Sequence, residues 1–345
     1  MLYRTLGRTG LAVSEVGFGT GGVSRLMAED DREAQLRAVR GALDRGLTLF
    51  DTAAGYGGGR SEANLGRALR ALGARAAVST KVRLGPEDLA DPKGAAIASV
   101  EESLKRLGRE SVDLVQIHNL IAPERKWPIG LVLAPGDILG RGGVLEGFRA
   151  LRERGKVRFF GLTGLGDPKA IREVAESGAF DTLQVYYNLL NPSAGHRVPP
   201  NFSALDYGLL LDRAVELGMG VLVIRVLALG ALSEAPNFLG FVDKPPPVLS
   251  PGSEYGEDVR RAARLRWLAA EEAPSLAQAA VRFALMKTGV SAVLCGFSDE
   301  AQLGQVTSAS GAGGLSEGAM ARLARIWDSD FAPGGPLSSR PGFTH

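Results

Sequence analysis

Four residues in the first third of the chain have side chains suited to general acid–base chemistry: Asp51, Tyr56, Lys81 and His118. Asp51 follows directly on the apolar run Leu47 to Phe50. Tyr56 lies five residues further on, among glycines 55, 57, 58 and 59. Lys81 ends the segment AAVSTK, and His118 ends VDLVQIH. Taken singly, each has a plain structural explanation: a turn cap, an ammonium reaching solvent, a satisfied histidine, an aromatic packed on the surface. Taken together, at the ends of neighbouring apolar runs, they must pair with one another or bear the cost of burying unpaired charge.

The elements that would position them recur along the chain. Residues 2–16 hold two short extended pieces around Gly7 to Gly10, which reads as a β-hairpin. Eight apolar strands follow, at 16–20, 46–51, 76–82, 112–118, 157–163, 182–187, 220–226 and 290–296. Helical periodicity follows each of them, at 30–45, 60–73, 93–108, 144–154, 168–177, 204–217, 275–288 and 299–308. Strands that are apolar almost throughout are buried on both faces, as in a parallel sheet covered by helices. The expected fold class is α/β, a closed (β/α)8 TIM barrel with an N-terminal β-hairpin and long loops at the C-terminal face. The rival, an open doubly wound sheet, calls for a GxGxxG turn after an early strand, and GFGTGG at 17–22 lacks that spacing. Ser275 with Gln278 after Pro274 reads as a capping box.

Residues 1–345 are expected to form one barrel domain, with a hairpin at 1–15 and a C-terminal tail at 332–345. Loops 119–142, 188–203 and 232–255 follow strands, so in a barrel they lie on the active-site face. The tail, rich in Gly, Pro and Ser, is expected to be loose or to fold across the same mouth.

At 345 residues, 45% hydrophobic and 23% charged, the chain can build a large core. A formal charge of +2 without basic runs gives no electrostatic case for nucleic acid or a membrane surface. The single cysteine, Cys295, points to a reducing compartment. With no secretory apolar stretch and no run of membrane-spanning length, a cytoplasmic protein is expected. The three histidines, His118, His196 and His345, are not spaced as ligand pairs, so no metal is expected.

The segments DTAAGY, the following SE, Lys81 ending a strand, and QIH together resemble the aldo-keto reductases. YRTLGRTGLAVSEVGFGT is similar to the family's N-terminal hairpin and first strand. SLAQAAVRFAL before VSAVLCGFSDEAQL is similar to its C-terminal cofactor region. The resemblance implies a catalytic tetrad of Asp51, Tyr56, Lys81 and His118, and hydride transfer between NAD(P)(H) and a carbonyl or alcohol substrate. In that chemistry the carbonyl oxygen needs a proton as it gains charge. A free tyrosine pKa of about 10 is high for a group that works in both directions, and a nearby ammonium lowers it. Lys81 takes that role by resemblance, Asp51 holds Lys81, and His118 hydrogen-bonds the substrate oxygen.

The resemblance also implies cofactor contacts from Gly19, Thr20, Asp51, Thr163, Gln184, Arg225, Leu227, Gly230, Gly296, Ser298 and Gln302. GLTG at 161–164 stands where the family usually reads GxSN, so Gly164 lacks an amide. That form resembles the aldose and galactose dehydrogenase-like branch and points towards sugars. IRVLALGAL at 224–232 lacks the aromatic that often stacks on the nicotinamide. Arg225 there either stacks through its planar guanidinium or pairs with a carboxylate in the mouth. The positions that grip the 2′-phosphate of NADP in many members correspond to Gly296 and Gln302, which leans towards NAD or towards tolerance of both cofactors, unless a basic residue such as Arg322 or Arg325 folds over the site. Phe18 and Trp127, with Tyr56 and His118, are the expected substrate contacts, and Gly21 stands where relatives often carry a large aromatic. Trp127 packing only its own loop is the alternative. A small-molecule carbonyl or sugar is the expected partner. The competing function is a cofactor-binding regulatory subunit with little turnover.

Overall fold

The computed structural model describes residues 1–21, 26–233 and 254–332. The chain opens with strands β1 (Tyr3–Thr5) and β2 (Ala12–Ser14), paired antiparallel as the expected hairpin. Strand β3 (Val16–Gly19), helix α1 (Arg32–Asp44), β4 (Leu49–Asp51), α2 (Arg60–Ala71), β5 (Ala77–Val82), α3 (Pro92–Leu107) and β6 (Val112–Ile117) follow in alternation. A small pair, β7 (Leu120–Ile121) and β8 (Val132–Leu133), and helix α4 (Pro135–Leu139) lie within the first long loop. The alternation resumes with α5 (Val144–Glu153), β9 (Val157–Gly164), α6 (Pro168–Glu176), β10 (Thr182–Tyr186), α7 (Leu210–Glu216) and β11 (Gly220–Ile224). The remainder comprises α8 (Tyr255–Ala263), α9 (Trp267–Glu271), α10 (Leu276–Met286), β12 (Val290–Gly296), α11 (Glu300–Thr307) and α12 (Glu317–Asp328).

Strands β3, β4, β5, β6, β9, β10, β11 and β12 pair in parallel, each with its neighbour in sequence, and β12 pairs with β3 to close the barrel. Side chains alternate across each strand, and that parity splits the core in two. Leu49, Leu114, Leu222, Ala292 and Leu294 point inward and pack with Leu6 and Val13 of the hairpin, which plugs the N-terminal end. Val16, Phe18, Phe50, Val78, Val115 and Phe160 point outward into the layer beneath the helices. Inward positions further along the same strands are polar, and they form the site.

Several elements differ from the sequence reading. The helix expected at 204–217 starts only at Leu210, because Gly208 (φ 56°) and Leu209 (φ 59°) adopt left-handed conformations that a helix cannot contain. Residues 188–195 do not lie open over the mouth. They are buried, with Asn188 accepting from the backbone N–H groups of Leu190 and Asn191, and Asn191 from that of Ser193. Of the expected capping box, only the half in which Ser275 Oγ accepts from Gln278 N forms; the Gln278 amide bonds Ser308 instead. Helices α8, α9 and α12 were not anticipated. Residues 234–253 of the third long loop and 333–345 of the tail lie outside the described residues. No helix among the described residues is long and apolar enough to cross a membrane.

Candidate active site

The four acid–base side chains meet at the C-terminal mouth of the barrel. Asp51 is the last residue of β4, and Lys81 is the penultimate residue of β5, both on the inward parity. His118 follows β6, where its backbone N–H is held by Val82 O at 2.7 Å. Tyr56 comes from the turn after β4, in which Gly57, Gly58 and Gly59 have φ of 58°, 65° and 89°. Three successive left-handed residues require glycine, and they lead the chain from Tyr56 into α2.

Lys81 is 1% exposed and uses its three donors on three acceptors: Asp51 Oδ2 at 2.5 Å, the Thr52 carbonyl at 2.8 Å and the Tyr56 hydroxyl at 3.4 Å. Burial opposes its charge most strongly, but the attraction of Asp51 and Tyr56 together outweighs it, and the pKa is raised above the ordinary lysine value. The ammonium is therefore a permanent charge beside the phenol. The His118 ring stands edge-on to the Tyr56 ring with centroids 5.4 Å apart. Burial first, and then the positive charges of Lys81, Arg83 and Arg225, drive the His118 pKa well below the usual histidine value. The imidazole is neutral at pH 7, and its Nδ1 has no hydrogen-bond partner among the described residues.

Sequence reasoning missed the layer behind the tetrad. Asp51 Oδ1 accepts from Gln184 Nε2 at 2.9 Å and Gln116 Nε2 at 3.3 Å, and Gln116 also donates to Ser79 Oγ at 2.8 Å. Gln116 and Ser79 sit two residues before His118 and Lys81, so period-two counting back from each would have marked them. Gly161 leaves room for this: a Cβ there would lie 2.3 Å from Thr182 Oγ1 and 2.9 Å from Gln116 Cγ. The SE pair does mechanical work on the other face. Ser61 Oγ bonds the Thr20 hydroxyl at 2.7 Å, and buried Glu62 binds Thr80 at 2.5 Å and Arg106 at 2.6 Å.

The other expected contacts are distributed as follows. Thr163 is 2% exposed, and its hydroxyl has no partner among the described residues. Gln184 lies in the mouth with its amide on Asp51. Thr20 is fully buried, its hydroxyl bonded to Asp51 O and Ser61. Gly19 ends β3, and Leu227 and Gly230 lie in the turn after β11. Gly296 is exposed at the end of β12. The Ser298 N–H donates to Gln302 Oε1 at 2.9 Å, and the Gln302 N–H to the Asp299 carboxylate at 2.8 Å. Arg322 is not over this end; it pairs with Glu271 and stacks on Trp267.

Phe18 does not reach the mouth. It is fully buried on the outward face of β3, between Phe50 and Phe297 at 5.6 and 5.2 Å, because its parity is opposite to that of the site residues. Trp127 packs against the core, and its indole N–H is buried without a partner. Gly21 borders the phenol: a Cβ there would stand 3.7 Å from Tyr56 Cζ. At Gly164 a Cβ would meet the Gln184 carbonyl at 2.6 Å, so a side chain there requires the backbone to shift. Among the described residues no cluster of His, Cys, Asp and Glu could hold a metal ion.

A sequence model of the Aldo/keto reductase family matches residues 15–328. L-galactose dehydrogenase of Arabidopsis thaliana is 30% identical over 318 residues, covering 87% of this chain and 85% of the relative. A probable voltage-gated potassium channel subunit beta of Oryza sativa subsp. japonica is 28% identical over 320 residues, covering 88% and 89%. The holo form of an aldo-keto reductase from Bacillus halodurans superimposes with a TM-score of 0.68 at 22% identity, covering 96% of this chain and all of that one.

Proposed function

The chain belongs to the aldo/keto reductase family, whose members carry out NAD(P)-dependent oxidoreduction of carbonyl compounds, and from that premise we propose that Tyr56 is the general acid and base for an aldehyde, ketone or aldose substrate. The observation that carries the reading is the Lys81 ammonium bonded at once to Asp51 and to the Tyr56 hydroxyl, with a neutral His118 beside the phenol. A reduced nicotinamide, when bound, supplies the hydride. Everything else falls to the chain. Lys81 stabilises negative charge on the Tyr56 oxygen after the proton has gone to the substrate. Asp51, held by Gln116 and Gln184, fixes Lys81. Neutral His118 donates a hydrogen bond to the carbonyl oxygen, orienting it and supporting the charge that develops there.

Thr163, whose buried hydroxyl lacks a partner among the described residues, fits a contact to the carboxamide of the cofactor, with Gln184 one strand away. Gly19, Thr20, Leu227, Gly230, Gly296, Ser298 and Gln302 would line the rest of its path. The Asp299 carboxylate caps α11 where a 2′-phosphate would need positive charge, which supports NAD over NADP. The similarity to L-galactose dehydrogenase, together with GLTG, supports an aldose or lactol among the substrates. Titration with NADH and NADPH, followed by a panel of aldehydes and aldoses with the tighter one, tests the reading. Tighter NADPH binding would overturn the NAD preference, and absence of any turnover would overturn the enzyme. A second reading, a cofactor-binding regulatory subunit, draws on the potassium channel subunit relative. It requires nucleotide binding without turnover in the same assay.

A further inference from the structure

Arg225 is the first residue after β11, half-buried, and held at φ 59° in the left-handed region. Ala228 (φ 45°) and Leu229 (φ 59°) share that conformation within the same turn. Non-glycine residues in this region are strained, and clusters of them gather at ligand sites. The turn is pinned: the Asn188 amide donates to the Arg225 carbonyl at 2.9 Å, and Ala228 N donates to the same oxygen at 2.8 Å. What it presents is a guanidinium that cannot lose its charge at any ordinary pH.

Among the described residues no carboxylate lies within ion-pair distance of that guanidinium. Burial opposes its charge most strongly, and the groups that support it are the phenols of Tyr186, Tyr56 and Tyr207. Tyr186 cannot balance the charge, since burial and Asp258 push its pKa up to about 12 and it stays neutral. Across the mouth stands a second such group. Arg83, exposed just beyond β5 on the parity of Lys81, also has no ion-pair partner among the described residues. Both arginines bear electrostatically on His118, one from the neighbouring strand and one from the opposite wall. Asp51 is already spent on Lys81, and the buried Asp258 on α8, which acts on Tyr186, has its compensating cation in Arg261. The mouth therefore carries two arginines without an ion-pair partner among the described residues, and both act on His118.

We propose that Arg225, aided by Arg83, binds an anionic oxygen group, a carboxylate, carried by the carbonyl or lactol substrate itself. The fork of a guanidinium matches a carboxylate in two parallel hydrogen bonds. The inference rests on the reading of the site as a carbonyl oxidoreductase. The cofactor's pyrophosphate is the other possible source of anionic oxygen, so the test separates the two.

Substrate pairs that differ only in the anion are compared: succinic semialdehyde against butanal for reduction with NADH, and D-galacturonate against D-galactose for oxidation with NAD. The expected result is a kcat/KM at least tenfold higher for the acid of a pair. That preference falls to within threefold in Arg225→Met and falls part-way in Arg83→Met, whose exposed position puts folding at no risk. The NADH dissociation constant, measured by fluorescence quenching, changes less than threefold in both variants. Equal kcat/KM for acid and neutral members in the unaltered protein overturns the inference while leaving the carbonyl reading intact. A tenfold loss of NADH affinity in Arg225→Met also overturns it, by assigning the guanidinium to the cofactor. If neither member of either pair is turned over, the carbonyl reading fails, and the substrate carboxylate fails with it.

Discussion

A phenol, an ammonium and a carboxylate in a row behave differently from any one of them alone. Tyr56→Phe removes the transferable proton but keeps the ring against His118. Turnover is expected to fall by about 10²–10⁴-fold, with NADH binding nearly unchanged in a fluorescence titration. Loss of both together would mean a structural Tyr56. Lys81→Met removes the partner of a buried carboxylate, which typically costs about 3–5 kcal/mol, and a urea unfolding midpoint reads it directly. The double variant Asp51→Asn, Lys81→Met leaves no stranded charge and is expected to be more stable than Lys81→Met alone. Because the folded-state pKa of Lys81 is raised, its stabilising contribution is fully present below its unfolded value and is lost only as pH rises through the folded one. The neutral pH range therefore leaves the pair untouched.

Elements set what the residues can become. Strand parity puts Asp51, Lys81, Gln116 and Gln184 inside the barrel and sends Phe18 and Phe50 beneath the helices. Strand β9 shows the same control through a missing side chain. Its Gly164 sits where a Cβ would be 2.6 Å from the Gln184 carbonyl on β10, so Gly164→Ala must push the two strands apart. A cost of about 1–3 kcal/mol is expected from such overpacking, readable as a lowered thermal midpoint. A loss of activity should accompany it, because Gln184 also steadies Asp51. An unchanged midpoint would mean that the β9–β10 contact gives way more easily than a barrel strand should.

Across the whole molecule, acid sensitivity is shared by groups far from the site. His196 packs against Tyr187, Phe283 and Trp327, and burial, with Lys287 behind it, lowers its pKa to about 4. The unfolded chain binds that proton near pH 6.5. Its contribution to stability is therefore present above pH 6.5 and drains away as pH falls towards 4. Asp258 on α8 is raised by burial to about 6, against the partly compensating Arg261. Here the folded state holds the proton longer, so stability is lost as pH rises from about 4 to 6. The two trends oppose each other in one window and hide each other in the unaltered protein. Asp258→Asn is expected to raise stability at pH 7 by about 1–3 kcal/mol and to make no difference near pH 4. Urea titrations at the two pH values check this, and an equal effect at both would rule out ionisation as the cause.

The amino-acid sequence by itself determined the alternation of strands and helices, the hairpin, and the four acid–base residues. These follow from local apolar periodicity: Asp51, Lys81 and His118 end apolar runs, and Tyr56 lies in the glycine turn that follows the first of them. The family could be named from short contiguous segments such as DTAAGY and QIH. Tertiary structure decided which strand face looks inward, and so moved Phe18 out of the mouth and brought Gln116 and Ser79 in behind Asp51. It also decided the late start of α7, the burial of 188–195, and the isolation of Arg225 from any described carboxylate. The physical reason is common to all of these. Periodicity records that a residue is buried or turned, while parity relative to a closed sheet and the charge of neighbours far along the chain exist only once the strands have closed.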